Sequence, residues 1–116
     1  MNADLRALED LAAKILVAAG ASEDEAIAVA RYLVMSDLVG HASHGVLRVR
    51  QYVEQIQKGE IVCHTQPVVV NEGPGFAVLE GGLGFGQIGA EHATRLACAK
   101  AKTQGIALVE IGRAHV

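Results

Sequence analysis

The sequence predicts an α+β fold, with an N-terminal three-helix arm followed by the opening strands and helix of a sheet domain. Three observations carry that expectation. Apolar residues recur at three- and four-residue steps from Asp4 to Gly59. Two short apolar runs then flank "NEGPG", whose Gly and Pro fit a tight reversal. Finally, an Ala-rich helical stretch leads into "IALVEI", which has the character of a buried strand. Helices gathered ahead of strands argue against a simple βα alternation.

Along Asp4–Ala19 the stripe is Leu5, Leu8, Ala12 and Ile15, and Gly20 follows where helices commonly stop. Ser22 and Glu25 have the spacing of a capping box, after which Ala26, Val29, Ala30, Leu33 and Val34 carry an apolar face toward Asp37 and Gly40. The stretch Gly40–Glu60 is read as a third helix, with Val46, Val49, Val53 and Ile56 on one side and Gly59 past its end. Pro67–Val70 and Phe76–Leu79 are expected to form a hairpin. A helix is expected from about Gln87 to Lys102, with Gly105 ending it, and a strand at Ile106–Ile111. The expected domains are 1–62, the helical arm, and 63–116, the start of a sheet domain.

The 116 residues suffice for one ordinary domain, and 51% hydrophobic against 20% charged residues fits a globular chain. A net charge of -3 offers no basic footprint for nucleic acid. No run reaches the ~20 apolar residues of a membrane span, and the N-terminus lacks the layout of a signal peptide. Cys63 and Cys98 are far apart in sequence, which suggests neither a disulfide framework nor a zinc knuckle and makes a reducing cytoplasm the expectation. The last strand runs into a polar loop barely begun at Val116, as expected of a fragment of a longer protein.

On a continuous helix His44, Arg48 and Tyr52 would be successive i, i+4 neighbours, roughly opposite the Val46/Val49/Val53/Ile56 stripe. That is the pattern of any solvated helix face. It also has useful chemistry, because a guanidinium can grip a carboxylate through two parallel hydrogen bonds while a nearby imidazole moves a proton at neutral pH. Ser43 beside His44 is not expected to face it, and no G-x-S-x-G elbow is present, so the serine is read as a cap or a ligand-orienting hydroxyl. His41, His44 and Asp37 do not make a complete metal shell, and no metal is expected. His64 and His92 have no evident partners in the sequence. Gly84, Gly86 and Gly89 match G-x-G-x-x-G, with Glu110 about 20 residues on, which opens a Rossmann-type nucleotide-binding alternative. Against it, "EGGL" separates the apolar run from Gly84, where the fingerprint turn should follow directly. A non-catalytic helical interaction or dimerisation module is the other alternative.

"SDLVGHASHGVLRVRQYVEQIQKGEI" closely resembles the D-x-x-G-x-x-S-H-G-x-x-R-x-x-x-Y segment of the malate/L-lactate dehydrogenase family, which includes ureidoglycolate and sulfolactate dehydrogenases and imino-acid reductases. "GPGFAVLEGGLGFGQIGAEHATRLACAKAKTQGIALVEI" resembles the family's next, glycine-rich segment, with Glu80 where an aspartate is common. The resemblance implies a non-Rossmann fold and hydride transfer between NAD or NADP and a small 2-hydroxy, 2-oxo or 2-imino acid. It also implies a homodimer and a cofactor held mostly by residues beyond Val116. Ser43 and His44 would belong to the active site, Arg48 would bind the substrate carboxylate with Tyr52 nearby, and His115 would be the proton donor or acceptor. Members often have R-N-S-x-H where this chain has I-G-R-A-H. The isolated 116 residues would then be inactive.

Overall fold

A computed structural model describes residues 3–114. The chain divides into two compact units, the first running through His64 and the second starting at Thr65.

The first unit contains helices α1 (Ala3–Ala19), α2 (Glu23–Leu38) and α3 (Arg48–Gln57), with a short 3-10 turn at Ala42–His44 between the last two. α1 packs against both α2 and α3. The capping box at the start of α2 forms as expected: Ser22 Oγ accepts from the Glu25 N–H at 3.1 Å, and Glu25 Oε1 accepts from the Ser22 N–H at 2.9 Å. All five residues of the expected α2 face are buried. On α1 the stripe turns inward at Leu16, which is fully buried, and not at Ile15, which is 40% exposed. At about 100° per residue those two lie on either side of Ala12, and the packing of α1 selects the Leu16 side. Burying a leucine of this kind contributes roughly 1.5–3 kcal/mol.

All three helices stop by the same device. Gly20, Gly40 and Gly59 have positive φ, and each makes the paired bonds of a Schellman motif: the glycine N–H donates three residues back and the next N–H donates five back. At the end of α2 these are Gly40 N–H to the Asp37 carbonyl at 3.1 Å and His41 N–H to the Ser36 carbonyl at 2.8 Å. Only glycine adopts that left-handed position without strain.

The expected third helix is therefore corrected. It does not run through Gly40–Glu60: His44 closes the 3-10 turn, Gly45 is extended (φ -93, ψ -156), and α3 begins at Arg48. The cause is a contact across nine residues, in which Asp37 Oδ2 accepts the Val46 N–H at 2.9 Å. A Cβ on Gly45 would lie 2.0 Å from Asp37 Oδ1. The aspartate and the second glycine thus form one joint, and Val46 belongs to that joint and not to the helix.

The second unit is a three-stranded sheet, β1 (Val68–Gly73), β2 (Phe76–Glu80) and β3 (Leu108–Gly112) in the order β1-β2-β3, with α4 (Gly86–Gln104) packed on β2 and β3. The hairpin forms where expected: β1 and β2 are antiparallel and close at Gly73 opposite Phe76. A side chain on Gly73 would strike the Phe76 ring, at 2.5 Å. β1 runs three residues further than the sequence suggests and has a register shift between Val69 and Asn71. β2 and β3 are parallel, so β2–α4–β3 is one βαβ crossover within an otherwise α+β chain. Lys100 of α4 holds the hairpin, donating to the Gly73 carbonyl at 2.8 Å and pairing with Glu72 at 2.9 Å. Ala77, Leu79, Phe85 and Ala93 form the buried centre. No helix among the described residues is long and apolar enough to cross a membrane.

Candidate functional site

Next to the Asp37–Gly45 joint, Ser43 and His44 of the S-H-G turn are exposed, while Gly45 is buried. Ser43 Oγ lies 3.0 Å from His44 Nδ1. This corrects the expectation that adjacent residues here would not face each other, which assumed α-helical geometry. In the turn the hydroxyl meets its neighbour's ring at Nδ1, which leaves Nε2 as the ring nitrogen outside this bond.

Arg48 sits at the first position of α3, and its Nε donates to the Ser43 carbonyl at 2.6 Å. The guanidinium is thereby tied to the same turn through backbone, and not through the His44–Arg48 helical step that the sequence suggests. Nη1 donates to Gln51 Oε1 at 2.5 Å. Of five N–H donors on an arginine, three remain, all on Nη1 and Nη2, so a carboxylate would be met at that end of the guanidinium. Tyr52 is one turn further along α3 and half-buried. Asp37 points its carboxylate at the Val46 N–H, while His41 is exposed and joins the turn through its backbone. Among the described residues no three His, Cys, Asp or Glu side chains gather as a metal shell.

The loop after β2 bears on the nucleotide-binding alternative at its first glycine, Gly84. All four amides from Gly81 to Gly84 are spent within the chain: Gly81 N–H on the Gly112 carbonyl and Leu83 N–H on the Arg113 carbonyl, each at 2.7 Å, Gly82 N–H on Glu80 Oε1 at 2.8 Å, and Gly84 N–H on the Gly81 carbonyl at 3.0 Å. Thr65 fills the space beside Gly82 and Gly84, and Gly89 packs against Ile111 and Ala114. A pyrophosphate would find no free donors along Gly81–Gly84 and would meet the Glu80 carboxylate, so the Gly81–Gly84 loop does not fit the cofactor's phosphates. These contacts are structural: the Gly82 N–H, and beyond it Arg113, hold the Glu80 carboxyl below the usual glutamate range against a smaller opposing effect of burial. Arg113 Nε lies 3.0 Å from Glu80 Oε1 and thereby latches the segment after β3 to the glycine loop. His115, expected to move the proton, lies outside the described residues.

Sequence reasoning missed Gln51 and the Glu80–Arg113 latch. Gln51 had only an i, i+3 spacing from Arg48 to mark it, and the latch joins residues 33 apart.

The family model for malate/L-lactate dehydrogenase matches residues 3–116. The malate dehydrogenase of Pyrococcus abyssi is 41% identical over 98 residues, which are 84% of this chain and 27% of that protein. The ureidoglycolate dehydrogenase (NAD(+)) of Escherichia coli K12 is 33% identical over 113 residues, 97% of this chain and 32% of its own length. Among solved structures, the malate dehydrogenase of Pyrococcus horikoshii OT3 superposes with a TM-score of 0.91 at 36% identity, over 97% of this chain and 32% of its own. The chain therefore spans about a third of the length of such relatives. With the S-H-G turn, its arginine and the sheet unit all inside the matched range, the chain belongs to the malate/L-lactate dehydrogenase family.

Proposed function

We propose that this chain supplies the acid-binding part of an enzyme that transfers a hydride between NAD or NADP and C2 of a small 2-hydroxy, 2-oxo or 2-imino acid such as malate or lactate. The observation that carries this reading is the 2.6 Å bond from Arg48 Nε to the Ser43 carbonyl, which fixes a carboxylate fork to a turn bearing an exposed serine–histidine pair. The NAD(+) in the E. coli relative's name supports a nicotinamide cofactor. The hydride chemistry belongs to that cofactor, which a further part of a longer protein would hold, since the Gly81–Gly84 loop does not fit it.

The residues of this chain then have separable tasks. Arg48 grips the carboxylate end-on, with Tyr52 beside it. Ser43 and His44 orient the oxygen on C2. His115 takes the hydroxyl proton on oxidation and returns it on reduction, work suited to an imidazole whose ordinary pKa is near ~6.5. The division into a helical arm, 1–62, and the beginning of a sheet domain, 63–116, belongs to the same proposal, as do a homodimer, a cytoplasmic location and an inactive isolated chain. The separation of compact units between His64 and Thr65 supports that division.

The test is turnover by the intact enzyme with NAD and with NADP on L-malate, L-lactate and ureidoglycolate, followed by nicotinamide absorbance. Reduction of the cofactor by at least one 2-hydroxy acid is expected. No nicotinamide turnover with any 2-hydroxy or 2-oxo acid would overturn the proposal.

A further inference from the structure

Arg48 is held at two points, and only the first ties it to the S-H-G turn. A guanidinium tethered only through Nε can still swing about that bond. With Nη1 also held, by Gln51 Oε1 at 2.5 Å, its plane is set. Both tethers end on α3 or on the turn joined to it, and both accepting oxygens are neutral. A neutral acceptor orients the cation without cancelling the charge that draws an anion, and for such a site amide oxygens suit better than a carboxylate.

We infer that Gln51 is a positioning residue for substrate binding: it fixes the plane of Arg48 so that the end-on Nη1/Nη2 pair meets the substrate carboxylate, and its lack of charge keeps that fork available. The inference rests on the proposed role of Arg48. Gln51 touches neither substrate nor cofactor, so its removal weakens the grip on the acid and leaves the proton and hydride steps alone. An ordinary i, i+3 surface pair would instead register in helix stability and not in substrate affinity.

The experiment is steady-state kinetics of the intact enzyme with whichever of L-malate, L-lactate and ureidoglycolate it turns over fastest, comparing Gln51→Leu, Gln51→Glu and Arg48→Lys, with the melting temperature and the pH profile of kcat recorded for each. Gln51→Leu removes the tether and should raise KM roughly 3- to 10-fold, the range for one modest hydrogen bond, with kcat within about twofold. Gln51→Glu keeps an acceptor at the same place but competes with substrate for the guanidinium, so its KM should rise further, by roughly tenfold or more. Melting temperature and the pH profile of kcat should stay as they were. A role in helix structure alone would give the opposite order, with the isosteric Glu milder than Leu. That order, or an unchanged KM in both Gln51 variants while Arg48→Lys raises it, overturns the inference and leaves the role of Arg48 intact. An unchanged KM in Arg48→Lys, or no turnover of any 2-hydroxy or 2-oxo acid by the unaltered enzyme, overturns both.

Discussion

Gly45→Ala should destabilise the S-H-G turn by a definite route. A Cβ at this buried glycine would lie 2.0 and 2.5 Å from the two carboxylate oxygens of Asp37, closer than real atoms approach. The backbone at Gly45 has φ -93, so the conformation itself is open to alanine. Contact is therefore the whole difficulty, and the atoms met are the end of a short side chain that can rotate away. Rotation relieves the clash at the cost of the 2.9 Å bond from the Val46 N–H to Asp37 Oδ2. A hydrogen bond to a charged group is worth about 1.5–3 kcal/mol, which sets the expected loss. Asp37→Ala should cost a similar amount, because it removes the same bond. The double variant should then cost little more than either alone, a coupling of about 1.5–3 kcal/mol in a double-mutant cycle. Urea unfolding of the four proteins measures it. Additive losses would refute the reasoning, since they would mean that the two substitutions act on different contacts.

Glu25 is 2% exposed, and its Oε1 accepts both the Ser22 N–H and, 39 residues on, the His64 N–H at 2.8 Å. Glu25→Ala should cost about 3 kcal/mol in urea unfolding, from a lost cap together with a lost charge-assisted bond, and Glu25→Gln clearly less. Glu80 tests pH dependence. Its carboxyl is held below the usual 4.5, chiefly by the Gly82 N–H and then by Arg113. A depressed carboxylate contributes stability that is present above its unfolded pKa and lost as pH falls through the lower folded value. Unfolding midpoints taken downward from about pH 6 should therefore fall less steeply on the acid side in Glu80→Gln than in the unaltered chain. An equal slope would remove Glu80 from the acid response.

The parts of this chain that were legible in the sequence are those in which neighbours in sequence do the work. Ser22 and Glu25 mark the start of α2, the small residues Ala26 and Ala30 mark its packed face, and Gly20, Gly40 and Gly59 mark the helix ends, all within one or two turns of what they control. The hairpin at Pro74–Gly75 is local in the same sense. The start of α3 was misread because a bond from Asp37, nine residues away, overrides the helical periodicity around Val46. The site suffered likewise: His44 and Arg48 have helical spacing, yet each bonds to Ser43 instead, the imidazole to its hydroxyl and the guanidinium to its carbonyl, an atom every residue has and no pattern reveals. The bulge in β1 and the Glu80–Arg113 latch depend on chain folded back from elsewhere, which spacing does not encode.

The central claim, that Arg48 on its tethered turn grips the acid group of the substrate, is tested most directly by pairing one substitution with two substrates. Arg48→Lys keeps the positive charge and loses the fork. In the intact enzyme kcat/KM should fall roughly 10- to 150-fold for a 2-hydroxy acid, the equivalent of about 1.5–3 kcal/mol. The corresponding 2-hydroxy amide lacks the carboxylate and is a poor substrate from the outset, and its kcat/KM should change by less than about threefold. A loss confined to the acid is the result this account predicts. Equal losses for acid and amide, or no loss for either, would contradict it.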